Sequence, residues 1–197
     1  MSETRRRILD TSLELLADHG FSGTSLQRIA NAVGLRKASL LYHFPSKAAL
    51  RDAVLADLFT GWSELLPQIL AQDTDGDGRF QITMGATFAF FSANPNRARF
   101  IMRELLDNPE GLSKRLQTTL APWLQAFTAS LKKGQKLALV PADLDPQAYI
   151  AHTATLALAS QAIGEAARGL LGDDTIDQQR LTNEAMRMTR AALFQQG

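Results

Sequence analysis

Cysteine is absent from all 197 residues, which removes disulfides, zinc ribbons, thiol nucleophiles and iron–sulfur ligation together. Such a chain suits a reducing compartment. Surplus charge is missing too. The 21 Lys and Arg face 20 Asp and Glu, a formal net charge of +1, and that total taken alone argues against a polyanionic partner. No long apolar run is present. The longest uncharged stretch, residues 146–164, carries Gln147, His152, Thr153, Thr155, Ser160 and Gln161 and is too polar for a membrane span. Near the N-terminus Asp10 follows Ile8-Leu9, so an acid breaks what would be a secretory core. The expectation is a cytoplasmic protein with no membrane partner.

Strand signals are also lacking, since no period-two alternation is bounded by turn residues. What is present is nearly continuous helical periodicity, rich in Leu and Ala. It is broken at Gly20, Gly34, Pro45, residues 73–78, Asn94-Pro95, Asn108-Pro109, Gly134, residues 141–146 and residues 172–174. Asn94, Asn108 and Asp145 each put a capping side chain before a proline, the residue best suited to a first helical position. The pattern predicts an all-α protein of about nine helices, divided into residues 1–50 and residues 51–197.

Residues 1–50 contain three short helices. The first, about Thr4 to His19, carries an apolar stripe of Ile8, Leu9, Leu13 and Leu16. The second opens on Thr24-Ser25-Leu26-Gln27, a capping-box spacing in which Thr24 and Gln27 satisfy free backbone donors, and it stops at Gly34. A three-residue turn leads to the third, Lys37 to His43. A brace helix and two helices joined by a tight glycine turn describe a helix-turn-helix unit. Its last helix is too short to stand alone and displays Arg36, Lys37 and Ser39, which suit base edges. Tyr42 and His43 suit phosphate oxygens. Lys47 begins the next helix, where a cation opposes the helix dipole but suits a phosphate. Partitioning the charge agrees: residues 1–50 hold seven Lys and Arg against four Asp and Glu, a net +3, and the remainder holds −2.

The stretch from Thr24 to Lys47, with Ile29-Ala30, Gly34, Tyr42, Phe44 and Lys47 at matching spacings, resembles the DNA-binding signature of the tetracycline-repressor (TetR) family. The resemblance covers about the first fifty residues. It implies phosphate contacts from Thr24 or Ser25, Tyr42, His43 and Lys47. It also implies base-edge contacts from Arg36, Lys37 and Ser39, and packing for Phe44. Arg36 stands where that family usually has a small capping residue, Ala38 replaces a frequent glycine, and Leu41 replaces a frequent aromatic. These departures bear on the operator sequence rather than on the fold.

Beyond residue 50 a long helix to about Leu70 is positioned to link the two regions. Phe80, Met84, Phe88 and Phe91 recur at spacings of four, four and three. Leu116, Leu120, Trp123, Phe127 and Leu131 do so further on, around Pro122, which is expected to kink that helix. Such faces ordinarily form a core, yet aromatic and methionine-lined interiors also hold small apolar ligands. The resemblance implies a pocket of that kind. Its candidate lining is Trp62, Met84, Phe88, Phe91, Phe100, Arg103, Trp123, Phe127 and His152, with Gln161 as a further polar contact. Residues 146–171 are apolar nearly all round, and the final helix, about Thr175 to Phe194, places Leu181, Ala185, Met188 and Ala192 at four-three-four spacing. With Leu156 and Ile163 these are the expected interface of a homodimer, a four-helix bundle about a two-fold axis that the resemblance also implies.

Asp73, Asp75 and Asp77 before Gly78 copy the first half of a calcium loop, but position twelve is Met84 where a bidentate glutamate is needed. The three histidines lack metal-ligand spacing, and neither a phosphate-binding glycine loop nor a nucleophile elbow is present. No metal, no cofactor and no catalysis are expected. The reading is a ligand-responsive regulator, foremost a repressor, whose partners are a double-stranded DNA operator, a small-molecule effector and a second copy of itself. The alternatives are an activator of the same fold and an all-helical ligand-binding or adaptor protein without an operator.

Overall fold

The computed structural model describes residues 2–70 and 76–194. Among the described residues there are ten helices and no strand: α1 (Glu3–Gly23), α2 (Leu26–Val33), α3 (Lys37–His43), α4 (Lys47–Leu70), α5 (Gly76–Ser92), α6 (Asn96–Asp107), α7 (Pro109–Lys136), α8 (Pro146–Ala162), α9 (Gly164–Leu171) and α10 (Gln178–Leu193). None of the described helices is long and apolar enough to cross a membrane. The calcium-like Asp73 and Asp75 lie outside the described residues.

The breaks follow local chemistry. Asp145 caps α8, its Oδ1 accepting from the amides of Gln147 and Ala148 ahead of Pro146 at the first position. Asn94 Oδ1 accepts from the Asn96 amide at the start of α6. Gly34 closes α2 at φ +75°. There the Leu35 amide reaches the Ala30 carbonyl and the Gly34 amide that of Asn31, a paired closure that needs a left-handed residue at this point.

Two expected boundaries shift. The helix expected through residues 146–171 is interrupted at Ile163 (φ −100°, ψ 0°), which gives ten helices rather than nine. The expected break after His19 is present at Gly20, where the backbone leaves the helix (φ 69°, ψ 177°), but a further short helical piece carries α1 on to Gly23. Two prolines, Pro67 in α4 and Pro122 in α7, lie inside helices that continue past them.

Packing joins these helices around two apolar clusters. The larger contains Ile8, Leu13, Leu16, Ile29 and Leu40 from α1–α3, Leu50, Val54 and Leu58 from α4, and Phe91, Phe100 and Leu112 from α5–α7. It therefore passes residue 50 without a break. The smaller holds Phe80, Met84 and Phe88 of α5 against Val140, Ala157 of α8, and Ala185 and Leu193 of α10. Each large apolar side chain fully buried in these clusters contributes about 1.5–3 kcal/mol.

Helix α6 is fastened to α1 as well as to the body. Arg103 donates to the Ala17 and Asp18 carbonyls at 2.7 and 3.0 Å, and Arg99 pairs with Asp18 at 2.9 Å. Glu104, buried, faces Arg51 of α4 at 3.9 Å and accepts from Asn108 at 3.1 Å. Burial pushes the Glu104 carboxyl above its ordinary value, and the Asn108 bond and the Arg51 charge offset part of that.

Candidate nucleic-acid interface

Helix α3 has seven residues, and such a helix keeps its shape through its neighbours. Leu40, fully buried, is its anchor, and Phe44 just beyond is 2% exposed. Arg5 donates to the His43 carbonyl at 3.2 Å and lays its guanidinium 4.3 Å from the Phe44 ring centre. Arg7 does the same service for α2, donating to the Val33 carbonyl at 2.9 Å. Cations on the last carbonyls of a helix satisfy free acceptors and complement the dipole. Two of the three consecutive arginines at the front of α1 thus hold the helix-turn-helix unit together. Sequence reasoning counted them as charge and missed this role, because contacts at separations of 38 and 26 residues leave no local signal.

With α3 held from beneath, Arg36, Lys37, Ser39 and Tyr42 stand on the solvent side, Tyr42 at 87% exposure, and His43 is half-buried against it, the two rings edge to face at 5.4 Å. Arg36 makes no side-chain cap to α3, as its departure from a small capping residue implied. This row of donors is on one side of a helix with the right types for base edges and phosphates.

Three front-region residues sit differently from expectation. The cap of α2 is Ser25, whose Oγ accepts from the Arg28 amide at 3.1 Å; helix start and cap are one residue later than the capping-box spacing suggested, and Gln27 bonds Asn31 instead. Thr24 is 1% exposed and its hydroxyl is turned to the Leu15 and Gly20 carbonyls, so of the Thr24/Ser25 pair it is Ser25 that remains at the surface. Lys47 donates to the Phe21 and Thr24 carbonyls at 2.8 and 3.0 Å with its ammonium 4.2 Å from the Phe21 ring centre. That ties α4 to the end of α1.

The expected pocket residues divide between the two apolar clusters. Met84 and Phe88 belong to the smaller cluster, whereas Phe91, Phe100 and the partly buried Trp62 belong to the larger. Trp62 meets Phe90 edge to face at 5.3 Å and Phe91 at 5.6 Å. Trp123 and Phe127 of α7 are partly buried. Two polar candidates point elsewhere: Arg103 binds the α1 carbonyls and His152 is exposed. Gln161 is buried between α8 and α10, donating to Thr182 at 3.1 Å.

The interface candidates also separate. Ala185 is buried with Thr182, Thr189 and Leu193 on the face of α10 turned to its own chain, and Leu156 packs partly against that cluster. Leu181 is half-buried, and Ile163, Met188 and Ala192 are exposed.

With this arrangement in view, comparison with known proteins is specific for the front. Residues 8–54 match the sequence model of the bacterial regulatory proteins of the tetR family. Over that segment the chain is similar to the tetR family. The matched span runs from the buried Ile8 of α1 to Val54 on α4, and it contains each of the eight DNA-contact candidates. The HTH-type transcriptional regulator RutR of Escherichia coli (strain K12) is 42% identical over 62 residues, 32% of this chain and 29% of RutR; the chain thus matches under a third of that relative's length. The TetR-type fold extends through the rest of the chain. The ketosteroid transcriptional regulator KstR2 of Mycobacterium tuberculosis superposes with a TM-score of 0.76 at 16% identity, covering 100% of this chain and 97% of that one. AibR, solved in complex with isovaleryl coenzyme A and operator DNA, gives 0.75 at 18% identity over 94% and 97%. At these identities the likeness is one of fold.

Proposed function

We propose that the protein is a ligand-responsive transcriptional regulator that binds a pseudo-palindromic operator as a homodimer and, as a repressor, leaves it when a small apolar or aromatic effector is bound. It acts in the cytoplasm, and its chemistry is binding rather than catalysis. The observation that carries the reading is α3 itself: a seven-residue helix held by Leu40, Phe44 and Arg5, with Arg36, Lys37, Ser39 and Tyr42 turned to solvent. Ser25 and His43 flank that face as phosphate contacts. Lys47, engaged with carbonyls, acts by holding α1 and α4 in register. Two copies of α3 would enter successive major grooves about 34–36 Å apart.

The exposure of Ile163 at the α8–α9 break, Leu170 and Leu171 of α9 and Met188 of α10 supports a two-fold partner there, since large apolar side chains left at a surface mark an interface when they gather in a patch. For the effector, the aromatic faces of α5 and α7 supply the lining, with α4 and α6 as the elements that carry a change to α1. By linkage, DNA weakens effector binding by the same factor that the effector weakens DNA binding.

Selection of bound sequences from random duplex DNA, followed by anisotropy titration at several salt concentrations, tests this directly. A palindromic preference is expected, with Lys37→Ala or Ser39→Ala changing the preferred bases. Absence of salt-dependent duplex binding overturns the reading in favour of an all-helical ligand-binding adaptor. A compound screen on the selected duplex then identifies the effector by release.

A further inference from the structure

Away from the aromatic interior, a cleft of about 280 Å³ opens where α1, α4 and the α5–α6 corner meet. That is the small end of the range for ligand sites, suited to a metabolite of amino-acid size. Its base is apolar: Leu9, Leu13, Val54 and Leu58 line it and are each nearly buried. Its walls carry both signs of charge. Arg6 bridges two carboxylates, donating through Nη1 to both oxygens of Asp57 at 3.0 and 2.9 Å and through Nε to Asp10 at 3.0 Å. A carboxylate has about four lone-pair sites, so Asp57 retains acceptor capacity toward the cleft.

Arg97, on the opposite wall, is half-buried. It stacks 4.3 Å from the Phe90 ring centre and gives one N–H to the Phe90 carbonyl at 2.6 Å. None of the described carboxylates pairs with it. With Glu64 also lining the space, three carboxylates face two guanidinium groups. A wholly anionic guest would meet the surplus of acids, and a wholly cationic one would leave Arg97 without a counter-ion. Gly61, one turn beyond Asp57 in α4, also lines the cleft. Glycine there costs about 0.5–1 kcal/mol relative to alanine, yet a Cβ would meet Phe90 at an ordinary 3.6 Å. Packing does not demand the glycine, and its effect is to leave that part of the cleft wall without a side chain.

We propose that this cleft binds a small zwitterion, an α-amino acid with an aliphatic side chain. Its carboxylate pairs with Arg97, its ammonium with Asp57, and its side chain lies over Leu9, Leu13 and Leu58. Because Asp57 also holds Arg6, occupancy bears on the tie between α1 and α4, the seat of the DNA-reading face.

Calorimetric titration of the full chain with L-leucine, N-acetyl-L-leucine and L-leucinamide tests the assignment. Leucine should bind saturably, and each blocked derivative should bind at least about tenfold more weakly, the scale of one charged hydrogen bond. Arg97→Gln should weaken leucine by a similar factor. Gly61→Leu, which places a good helix former in the cleft, should abolish binding while the thermal melt stays intact. Failure of leucine to bind overturns the proposal. So does equal binding of either derivative, or unchanged affinity in the folded Gly61→Leu variant. None of these readouts requires DNA.

Discussion

In the front fifty residues Ile8, Ile29 and Leu40 are fully buried within one chain, whereas in α9 and α10 Leu170, Leu171 and Met188 stand at 85%, 64% and 52% exposure. The front is also laced by long side chains reaching backbone carbonyls: Arg5 to His43, Arg7 to Val33, Lys47 to Phe21 and Thr24. Charged pairs in α10, such as Arg187 with Glu184 and Arg190 with Asp77, lie at the surface instead, where such pairs contribute little. The helix-turn-helix unit, which holds one short helix in a fixed pose, is seated on a core closed within the chain by α4–α7. The last helices leave large apolar side chains uncovered, the surface that the proposed second copy would take.

The sharpest way to break that comparison is Leu40→Ala. Deleting a fully buried leucine costs about 2–5 kcal/mol, so urea unfolding should shift by that amount and duplex binding should vanish. A small shift would show that α3 is seated by its polar ties alone. Next is Arg5→Ala, which removes a charged donor from the end of α3. About 1 kcal/mol of stability is expected, with weaker operator binding out of proportion to that loss. Equal loss on specific and random duplexes would place Arg5 on phosphates instead.

Glu104, where α6 faces α4, gives a pH signature. Its folded carboxyl titrates above the ordinary glutamate value because it is buried, so the folded state holds the proton more firmly than the unfolded chain. That contribution is present below the ordinary value and is lost as pH rises through the raised one. Urea midpoints of the native chain should therefore fall relative to Glu104→Gln over this window; parallel profiles would show that Arg51 fully compensates the charge. The smallest effect on the fold is expected for Met188→Glu, about 0.5 kcal/mol or less at an exposed site. Light scattering should nevertheless report monomers, and a persistent dimer would move the interface off α10.

The helices were legible because periodicity and caps are local: α3 was expected at Lys37–His43, and Asp145 caps α8. Even the one-residue displacement of the α2 cap came from two adjacent hydroxyls, Thr24 and Ser25, that local sequence reads alike. Spacing also identified the buried face of α5, since Phe80, Met84, Phe88 and Phe91 are all buried. It could not say what that face meets, and Phe91 joins a different cluster from the other three. Arg103 was unreadable for the same reason: its partners on α1 are 86 and 85 residues away. Exposed Met188 and buried Ala185 occupy one heptad-like seam in sequence, yet they face different neighbours once α8 packs on α10.

The unbroken larger cluster has a consequence for anyone who would exchange parts among regulators. Leu13 and Leu16 of α1 share their core with Phe100 and Ile101 of α6, and Arg99 and Arg103 fasten the same two helices. A chimera cut at residue 50 would carry a helix-turn-helix unit stripped of half its seat. A graft that keeps specificity has to take α4 and α6 along with it.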